Sequence, residues 1–381
     1  MKILYVAGRW DPTVQNEFSG SDYGAYHMLK KQPGVEVALV EPMQDIPNFF
    51  ERVITKLYSL FFSKRLIKYY PSSLRISGQA VNQAIRNHQP DVIFSKYAAP
   101  MVHANITRPF VYMCDSTVTW TKEIWPDFSK LGFLIMEKWE RKVIGACDRL
   151  VTFSEASAAV IEDTYGKEPA KVRVLPIPAY IPAHILPPTE MIQKTIKEPL
   201  RLLLVGKRYH LRGVDIAIET TNLLNAKGIP TELSIAGMDG NNQVHVKYLG
   251  VFNKENSEEL LSYFNLFKNA DLLIHPSRFH SAGIVISEAA GFGLPTITNA
   301  AGGLATSVQH DQTGFVLPEK SPPSAYVDAI LSLINDDDRY QRYRTNARKR
   351  FDEYLNWEKA GDRLYEIIKE AHQTKGSSQS S

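Results

Sequence analysis

The chain has 381 residues, of which 44% are hydrophobic, and this is enough to form two or three globular domains with well-packed cores. A formal net charge of +3 is too small to favour nucleic acid as the main partner, and no segment reaches the roughly 20 apolar residues needed to span a bilayer. The two cysteines, Cys114 and Cys147, lack metal-ligand spacing and favour a reducing, cytoplasmic location over a disulfide-bonded secreted scaffold.

The first 40 residues have the pattern that opens a doubly wound α/β sheet. The apolar run at 2–7 is too short for a signal-peptide core and predicts a buried strand. A polar loop with the run S-G-S at 19–21 follows it. The sequence then predicts a helix at 24–31 and a second strand at 35–40.

Residues 48–75 differ in composition from the segments around them. Apolar and aromatic side chains recur at helical spacing, whereas many basic residues accompany a single acid, Glu51. Two interpretations stay open. The segment is either a helix that packs on the core with a solvated basic face, or a helix that contacts an anionic membrane surface through residues 49–75.

Strand-like runs at 90–94, 109–113 and 149–153 continue the first sheet. Asp115 follows the second of these runs, and the carboxyl ends of parallel strands face the ligand crevice. Its carboxylate could accept a hydrogen bond from a ligand hydroxyl or stabilise a positive charge that develops on a ligand. Alternatively, Asp115 caps the following turn.

A proline-rich stretch at 179–199 has no clear periodicity and predicts a linker between two domains. After it, the strand predicted at 200–205 begins a second α/β sheet. The polar residues 374–381 predict a disordered tail.

The stretch 271–303 organises the second half of the chain. It predicts a strand at 272–274, a polar loop at 275–283, a helix at 284–292 and a strand at 296–298. A glycine-bearing loop between a strand and a helix directs free backbone N–H groups and the positive end of the helix dipole at a ligand above the sheet. Phosphate suits such a site.

Within this stretch, the order H-P-S-R-F-x-x-x-G-I-x-x-x-E-A-x-x-x-G-x-P, followed by A-G-G, resembles the donor-binding signature of the retaining glycosyltransferases of family 4. The runs V-T-F-S-E-A and G-K-R-Y-H-L-R-G are similar to other segments of that family, so the resemblance covers most of residues 100–318. It implies an α/β protein of GT-B architecture, with two Rossmann-like doubly wound domains facing a central cleft.

The resemblance also implies how the chain is divided. The expected parts are an acceptor-binding domain at 1–178, the linker at 179–199 and a nucleotide-sugar-binding domain at 200–355. A C-terminal helix at 356–373 is expected to cross back and pack on the first domain.

For the donor, the resemblance implies contacts to the diphosphate, the ribose and the base. The residues expected at the diphosphate are Lys207, Arg212, Gly20, Ala282, Gly283 and Ile284. Main-chain groups of Gly250 and Val251 are expected to hold the base, and Glu288 is expected to bind the ribose hydroxyls. The competing interpretation of Glu288 is an ordinary glutamate on a helix surface.

Two positions depart from the family pattern. His280 stands where the family has a glutamate that contacts the transferred sugar, and Asp115 stands where many relatives have a histidine. Both are expected to act at the sugar, as catalytic residues. The alternative for His280 is a loop histidine that faces solvent.

The activity implied is transfer of a sugar from a nucleoside-diphosphate sugar to a hydroxyl acceptor, a growing glycan or lipid-linked saccharide, with retention of the anomeric configuration. Two cations at the diphosphate would replace a divalent metal, so neither a metal nor another cofactor is expected. A lipid-linked acceptor would place the chain at the inner membrane surface. A nucleotide-sugar epimerase and a non-catalytic nucleotide-sugar-binding subunit stay open as alternatives.

Overall fold

The computed structural model describes residues 1–15 and 20–378, which form two compact α/β units. The first unit comprises Met1–Leu175 and the C-terminal segment from Ala360, and the second comprises Pro176–Lys359. Each unit contains one six-stranded sheet in which all neighbouring strands are parallel. The predicted doubly wound α/β fold is confirmed.

The first sheet has the order β2-β1-β3-β4-β5-β6. Its strands are β1 Lys2–Val6, β2 Glu36–Val40, β3 Val92–Ser95, β4 Phe110–Cys114, β5 Arg149–Thr152 and β6 Val172–Val174. The helices are α1 Ser21–Lys30, α2 Phe49–Phe62, α3 Pro71–His88, the single turn α4 Val118–Thr121, α5 Lys130–Ala146 and α6 Glu155–Tyr165. β3 and β4 are buried along their whole length, as expected for central strands of a parallel sheet with helices on both faces.

The second sheet has the order β12-β11-β10-β7-β8-β9. Its strands are β7 Leu200–Val205, β8 Thr231–Ala236, β9 Val246–Tyr248, β10 Leu272–His275, β11 Thr296–Asn299 and β12 Gly314–Leu317. The helices are α7 Val214–Ala226, α8 Ser257–Asn269, α9 Ile284–Gly291, the single turn α10 Leu304–Ser307, α11 Pro323–Ile334, α12 Asp337–Arg350 and α13 Trp357–Ser378.

From Ala360 onward, α13 belongs to the first unit and is anchored there by polar contacts. Asp362 accepts a hydrogen bond from Gln32 at 2.9 Å, and Glu370 pairs with Arg173 at 2.9 Å. The disordered tail predicted from residue 374 is wrong for residues 374–378, which continue the helix. The Thr374 hydroxyl donates to the carbonyl of Glu370 at 2.7 Å and holds the chain in helical geometry at this point. Residues 379–381 lie outside the described part.

The proline-rich stretch predicted as a linker packs on the second unit. Its carbonyl groups accept hydrogen bonds from side chains of that unit: Pro187 from Arg348 at 2.6 Å, and Ile192 from Arg344 at 2.5 Å. Prolines prevent this stretch from joining a strand ladder, so side chains satisfy its backbone instead.

The helix α2 is unusual because none of its 14 residues is buried. Its start is well formed, since Asn48 and Glu51 make a reciprocal capping box. Large apolar side chains on α2 are between 38% and 77% exposed: Phe49, Phe50, Val53, Ile54, Leu57, Leu60, Phe61 and Phe62. The interpretation of this segment as a core-packed helix is therefore wrong. Within residues 1–15 and 20–378, no helix has the length and apolar content to cross a bilayer.

Candidate functional site

The winding of the second sheet reverses between the neighbouring strands β7 and β10. Ligands of doubly wound sheets bind at the carboxyl ends of the strands where this reversal occurs. The loop at 206–213 follows β7, and the loop at 276–283 follows β10. The topology therefore brings together two segments that are about 70 residues apart in the sequence and that were both predicted to contact the donor.

Arg212 connects these two loops. Its Nη1 donates a hydrogen bond to the carbonyl oxygen of Phe279 at 2.8 Å. Gly206 allows this approach, because a Cβ at that position would lie 2.8 Å from Cγ of Arg212. Burial, with a contribution from Arg208, lowers the pKa of Arg212 to about 10, so its guanidinium still carries a charge at neutral pH.

Lys207 is exposed on the same loop as Arg212. The neighbouring loop is fixed by Arg278, whose Nη2 lies 2.6 Å from Oδ2 of Asp215 and whose Nη1 donates to the carbonyl of His210 at 2.7 Å. Arg278 thus ties the loop after β10 to the start of α7. The guanidinium of Arg212 is held by its hydrogen bond to Phe279, whereas the ammonium of Lys207 is exposed. Both groups can bind phosphate oxygens.

His280 is held in one orientation. Its Nδ1 accepts a hydrogen bond from the N–H of Gly283 at 2.9 Å, and its carbonyl accepts from the N–H of Gly303 at 2.8 Å. Burial, Arg212 and His275 lower the pKa of His280 well below its usual value. The ring is therefore neutral at neutral pH, and because Nδ1 accepts, Nε2 carries the proton and is a hydrogen-bond donor.

Gly302 and Gly303 of the A-G-G turn contact the main chain of His280. Gly302 has a φ of 65° and lies so close to the His280 carbonyl that a Cβ would overlap it. Only glycine combines this backbone conformation with this approach. His280 is half-buried, and so it differs from the solvent-facing loop histidine considered as an alternative.

The start of α9 lies beside His280. The first N–H groups of a helix have no partner within the helix and carry the positive end of its dipole. Of the three residues predicted to form the phosphate cradle, Gly283 already donates its N–H to His280. A diphosphate bound at this helix start would therefore compete with the His280 ring for the Gly283 N–H, and contacts of Ala282, Gly283 and Ile284 to the donor stay predictions.

Glu288 is 3% exposed in α9, so the alternative of a surface glutamate is wrong. Its Oε1 lies 2.9 Å from Nζ of Lys254, and its Oε2 accepts a hydrogen bond from the Tyr263 hydroxyl at 2.6 Å. The Lys254 ammonium also lies 3.8 Å from the centroid of the Tyr263 ring. No sequence pattern linked Lys254 and Tyr263 to Glu288, because they are 34 and 25 residues away from it in the chain.

Gly250 and Val251, expected at the base, follow β9. Gly250 has a φ of 71°, and its carbonyl accepts a hydrogen bond from the N–H of Gly237 at 2.8 Å. This bond joins the loop after β9 to the loop after β8. The side chain of Val251 is 57% exposed and offers an apolar surface beside these loops.

In the first unit, Asp115 lies at the end of β4 and lines a cavity of about 450 Å³. The Ser116 hydroxyl donates to its Oδ1 at 3.1 Å. The cap of α4 is Thr117, whose side chain accepts from the N–H of Trp120 at 3.3 Å. The interpretation of Asp115 as the cap of that turn is therefore wrong.

Gly20 also belongs to the first unit, whereas the other residues predicted at the diphosphate belong to the second. It has a φ of 72° and forms the N-cap of α1. Asp22, on the first turn of α1, forms a buried ion pair with Lys96 at 3.5 Å and accepts a hydrogen bond from Tyr97 at 2.8 Å. The predicted run at 19–21 begins at Ser19, which lies outside the described residues.

Glu140 is a buried acid that the sequence analysis missed. Its Oε2 accepts hydrogen bonds from the N–H of Val118 at 2.8 Å and from the Tyr165 hydroxyl. Burial raises the pKa of Glu140 to about 7. A signal was present, because Glu140 shares the apolar face of α5 with Met136 and Val143, at helical spacing.

Two family models together match most of the chain. Residues 188–350 match the family described as Glycosyl transferases group 1, and residues 27–178 match Glycosyltransferase Family 4. The chain is 28% identical over 252 residues to D-inositol 3-phosphate glycosyltransferase 1 of Catenulispora acidiphila, covering 61% of this chain and 59% of that protein. The chain thus spans about three-fifths of the length of this curated relative.

Two solved structures show the same fold. Sucrose-phosphate synthase from Thermosynechococcus elongatus superposes with a TM-score of 0.70 at 15% identity, covering 98% of this chain and 99% of that one. HepE from Anabaena, solved in complex with UDP and glucose, superposes with a TM-score of 0.62 at 16% identity, covering 97% and 100%.

Proposed function

Because the chain belongs to glycosyltransferase family 4 and is therefore a sugar transferase with a GT-B fold, we propose that it moves a sugar from a nucleoside diphosphate to a hydroxyl acceptor, with retention of configuration. The observation that carries the proposal is the bridge from Arg212 to Phe279, next to His280 at the reversal point of the second sheet. UDP is the proposed carrier, since HepE was solved with UDP and glucose.

The proposed reaction is a same-face substitution at the anomeric carbon. The bond from this carbon to the β-phosphate oxygen breaks, and its electron pair goes to the leaving diphosphate. The acceptor hydroxyl bonds to the same carbon from the same face and gives its proton to the leaving phosphate oxygen. Lys207, Arg212 and the start of α9 stabilise the charge on this diphosphate, the role that a divalent metal has in other transferases.

His280 is proposed to position the transferred sugar. Its Nδ1 is occupied by Gly283, so its Nε2–H is the group that donates to a sugar hydroxyl. A neutral donor makes a single hydrogen bond, whereas the glutamate of the family pattern accepts from two hydroxyls. We therefore expect His280 to affect the choice of donor sugar.

Glu288 is proposed to bind the ribose hydroxyls. Each carboxylate oxygen has two acceptor sites, so bonds from Lys254 and Tyr263 leave one site on each oxygen. A ribose that binds there meets a carboxylate that is already oriented. Lys254 lies in the loop before α8 and lends positive charge to the same region.

Asp115 and its cavity are proposed to bind the acceptor. Its carboxylate is suited to accept a hydrogen bond from the attacking hydroxyl or to stabilise the positive charge on the sugar ring. The relatives are named for D-inositol 3-phosphate, so a phosphorylated polyol joins a growing glycan and a lipid-linked saccharide as an acceptor candidate.

We also propose that α2 docks on an anionic membrane surface, as expected for a lipid-linked acceptor. Its exposed apolar side chains can enter the interface between headgroups and acyl chains. Arg52 and Lys56 on the helix, and Lys64 and Arg65 just after it, are exposed and match an anionic headgroup layer in charge. This location at the inner membrane surface also fits two cysteines that are free and buried.

Incubation with a panel of UDP-sugars in the absence of acceptor tests the proposed function. We expect slow release of UDP and free sugar from at least one donor, and Arg212→Met should abolish this release. An altered sugar that stays attached to UDP would identify an epimerase. UDP binding without any turnover, with or without acceptors, would identify a binding subunit.

A further inference from the structure

Lys254 lies in the loop between β9 and α8, and hydrogen bonds on both sides of it hold this loop in place. The N–H of Asn253 donates to Oε2 of Glu259 at 2.8 Å, and the N–H of Glu255 donates to Oδ1 of Asn253 at 3.0 Å. The side chain of Asn256 then caps the start of α8. The position of the Lys254 backbone is therefore set by its neighbours in the loop.

The side chain of Lys254 reaches the buried carboxylate of Glu288. Its Nζ lies 2.9 Å from Oε1 of Glu288 and 3.8 Å from the centroid of the Tyr263 ring. The side chain of Lys254 is 24% exposed, whereas that of Glu288 is 4% exposed. The carboxylate is thus almost hidden from water, and the ammonium beside it stays partly accessible.

The ammonium of Lys254 has hydrogen-bonding capacity that the protein does not use. An ammonium has three N–H donors and no acceptor. One of them donates to Glu288, and the face of the Tyr263 ring can attract a second. In the part of the chain that the structure describes, Glu288 is the one polar group within hydrogen-bond distance of this ammonium. At least one N–H is therefore available to a ligand.

A hydroxyl group matches this ion pair, because a hydroxyl can donate and accept at the same time. It can donate to Oε1 of Glu288 while its oxygen accepts from Nζ of Lys254. Hydrogen bonds to charged groups are stronger than those between neutral groups, and here both partners are charged. A C–H group at the same place would cover these charges without bonding to them, which is unfavourable. The pair therefore favours a hydroxyl over a hydrogen.

The loop that carries Lys254 also fits the order of groups in a nucleoside. Gly250 and Val251, which are expected at the base, precede Lys254 in the same loop. Phe252 lies between them and Lys254, and its ring centroid is 5.9 Å from that of Tyr263. The loop thus runs from the expected base contacts to the ion pair, as a nucleoside runs from base to ribose.

We propose that Lys254 donates a hydrogen bond to a ribose hydroxyl of the nucleotide carrier and makes the site selective for ribonucleotides over 2′-deoxyribonucleotides. This rests on the proposed function and deepens it, since it assigns a second residue to the ribose that Glu288 is proposed to bind. Lys254 is then a specificity-determining residue. A lysine that only neutralised Glu288 would influence the ribose through the carboxylate and in no other way.

Calorimetric titration of the full chain with UDP and with 2′-deoxy-UDP tests the proposal. We expect the natural chain to bind UDP at least about tenfold more tightly, as for one hydrogen bond to a charged group. Lys254→Met should reduce this preference to less than about threefold. The matched control is Lys194→Met, because Lys194 is 19% exposed and also pairs with a buried acid of this unit, Asp271, at 2.8 Å. It should leave the preference unchanged.

Glu288→Gln separates a direct contact of Lys254 from an effect through the carboxylate. Glutamine keeps the volume and an acceptor oxygen but has no charge for Lys254 to neutralise. If Lys254 binds the ribose itself, adding Lys254→Met to Glu288→Gln should lower the preference for UDP further, by at least about threefold. An unchanged ratio of the two affinities would show that Lys254 acts through Glu288 alone, and this would overturn the proposal.

Equal affinity of the natural chain for UDP and 2′-deoxy-UDP would also overturn the proposal, as would equal effects of Lys254→Met and Lys194→Met on the preference. The proposed function survives these results if UDP binds and Arg212→Met weakens its binding. No binding of UDP to the natural chain would overturn both the role of Lys254 and the proposed function.

Discussion

The hydroxyl of Tyr263 donates to Oε2 of Glu288 at 2.6 Å in the core of the second unit, while Lys254 holds Oε1 at 2.9 Å. Tyr263 therefore orients the carboxylate proposed to bind ribose. We predict that Tyr263→Phe weakens UDP binding by about tenfold, as expected for one lost hydrogen bond to a charged group. Calorimetric titration with UDP measures the effect.

The matched control is Tyr340→Phe, which removes another buried hydroxyl of the same unit, bonded at 3.0 Å to the carbonyl of Asp271. It should reduce stability without a comparable loss of UDP affinity. Similar losses of UDP affinity in both variants would show that Tyr263 acts only through stability.

Arg212 is proposed to bind the diphosphate. Arg212→Met should weaken UDP binding by 10- to 100-fold, the range of roughly 1.5–3 kcal/mol for a hydrogen bond to a charged group. Uridine has no phosphate, so its affinity should not change. Parallel titrations with UDP and uridine measure the difference, and an equal loss for both ligands would contradict the assignment.

His280 is proposed to contact the transferred sugar and not the nucleotide. His280→Ala should lower the transfer rate far more than UDP affinity, and His280→Gln, which retains a donor near the position of Nε2, should recover part of the rate. Because its surroundings hold the pKa of His280 well below 6.5, protonation of this ring should produce no step in the rate between about pH 6 and 8. Equal losses of transfer rate and UDP affinity would contradict a contact between His280 and the transferred sugar.

The exposed helix α2 is proposed to bind membranes through its apolar face. Phe61→Asp with Leu60→Asp should weaken binding to vesicles with anionic lipids by more than tenfold, because each large apolar side chain contributes about 1.5–3 kcal/mol when buried. Val244→Asp is the matched control: Val244 and Phe61 are both 77% exposed, and Val244 lies in the second unit. Vesicle sedimentation measures binding.

Salt separates the two contributions to this membrane contact. Raising the salt concentration to about 0.5 M should weaken binding through Arg52 and Lys56 but leave a residual apolar component. Binding that does not change with salt would contradict an electrostatic contribution to the membrane contact. Equal behaviour of the α2 double variant and Val244→Asp would exclude α2 as the docking surface.

Glu140 should make stability depend on pH. Its pKa rises from 4.5 to about 7 on folding, so the folded chain binds more protons than the unfolded chain between these values. The contribution of Glu140 to the free energy of unfolding is therefore greatest below pH 4.5. It falls by roughly 3 kcal/mol as the pH rises through 7. Urea unfolding should show this loss in the natural chain and not in Glu140→Gln, and identical pH profiles would contradict it.

The sequence predicted the sheets because their strands are continuous apolar runs between helical patterns. β7 has the predicted bounds, and β10 and α9 each differ from theirs by one residue at the C-terminal end. The environment of Glu288 could not be predicted, because Lys254 and Tyr263 reach it only after α8 has packed beside α9. The hydrogen bond from the Gly283 N–H to the His280 ring could not be predicted either, because it depends on the conformation that the loop at 276–283 adopts.

The composition of residues 48–75 left two interpretations of α2, since apolar periodicity is the same for a helix that packs on a core and for one that does not. Burial distinguishes them, and burial depends on what the rest of the chain places opposite the helix. The cavity in the first unit was not foreseen as a whole, because its wall comes from separate segments spread between residues 9 and 153. Asp115 was the single member that its position after a strand predicted.

Hydrogen exchange of the full chain with and without UDP tests the central claim most directly, namely that the donor binds at the strand reversal of the second sheet. The account predicts that UDP slows exchange in the loops at 206–213 and 276–283 and at the start of α9. No protection by UDP, or protection confined to the first unit, would contradict it.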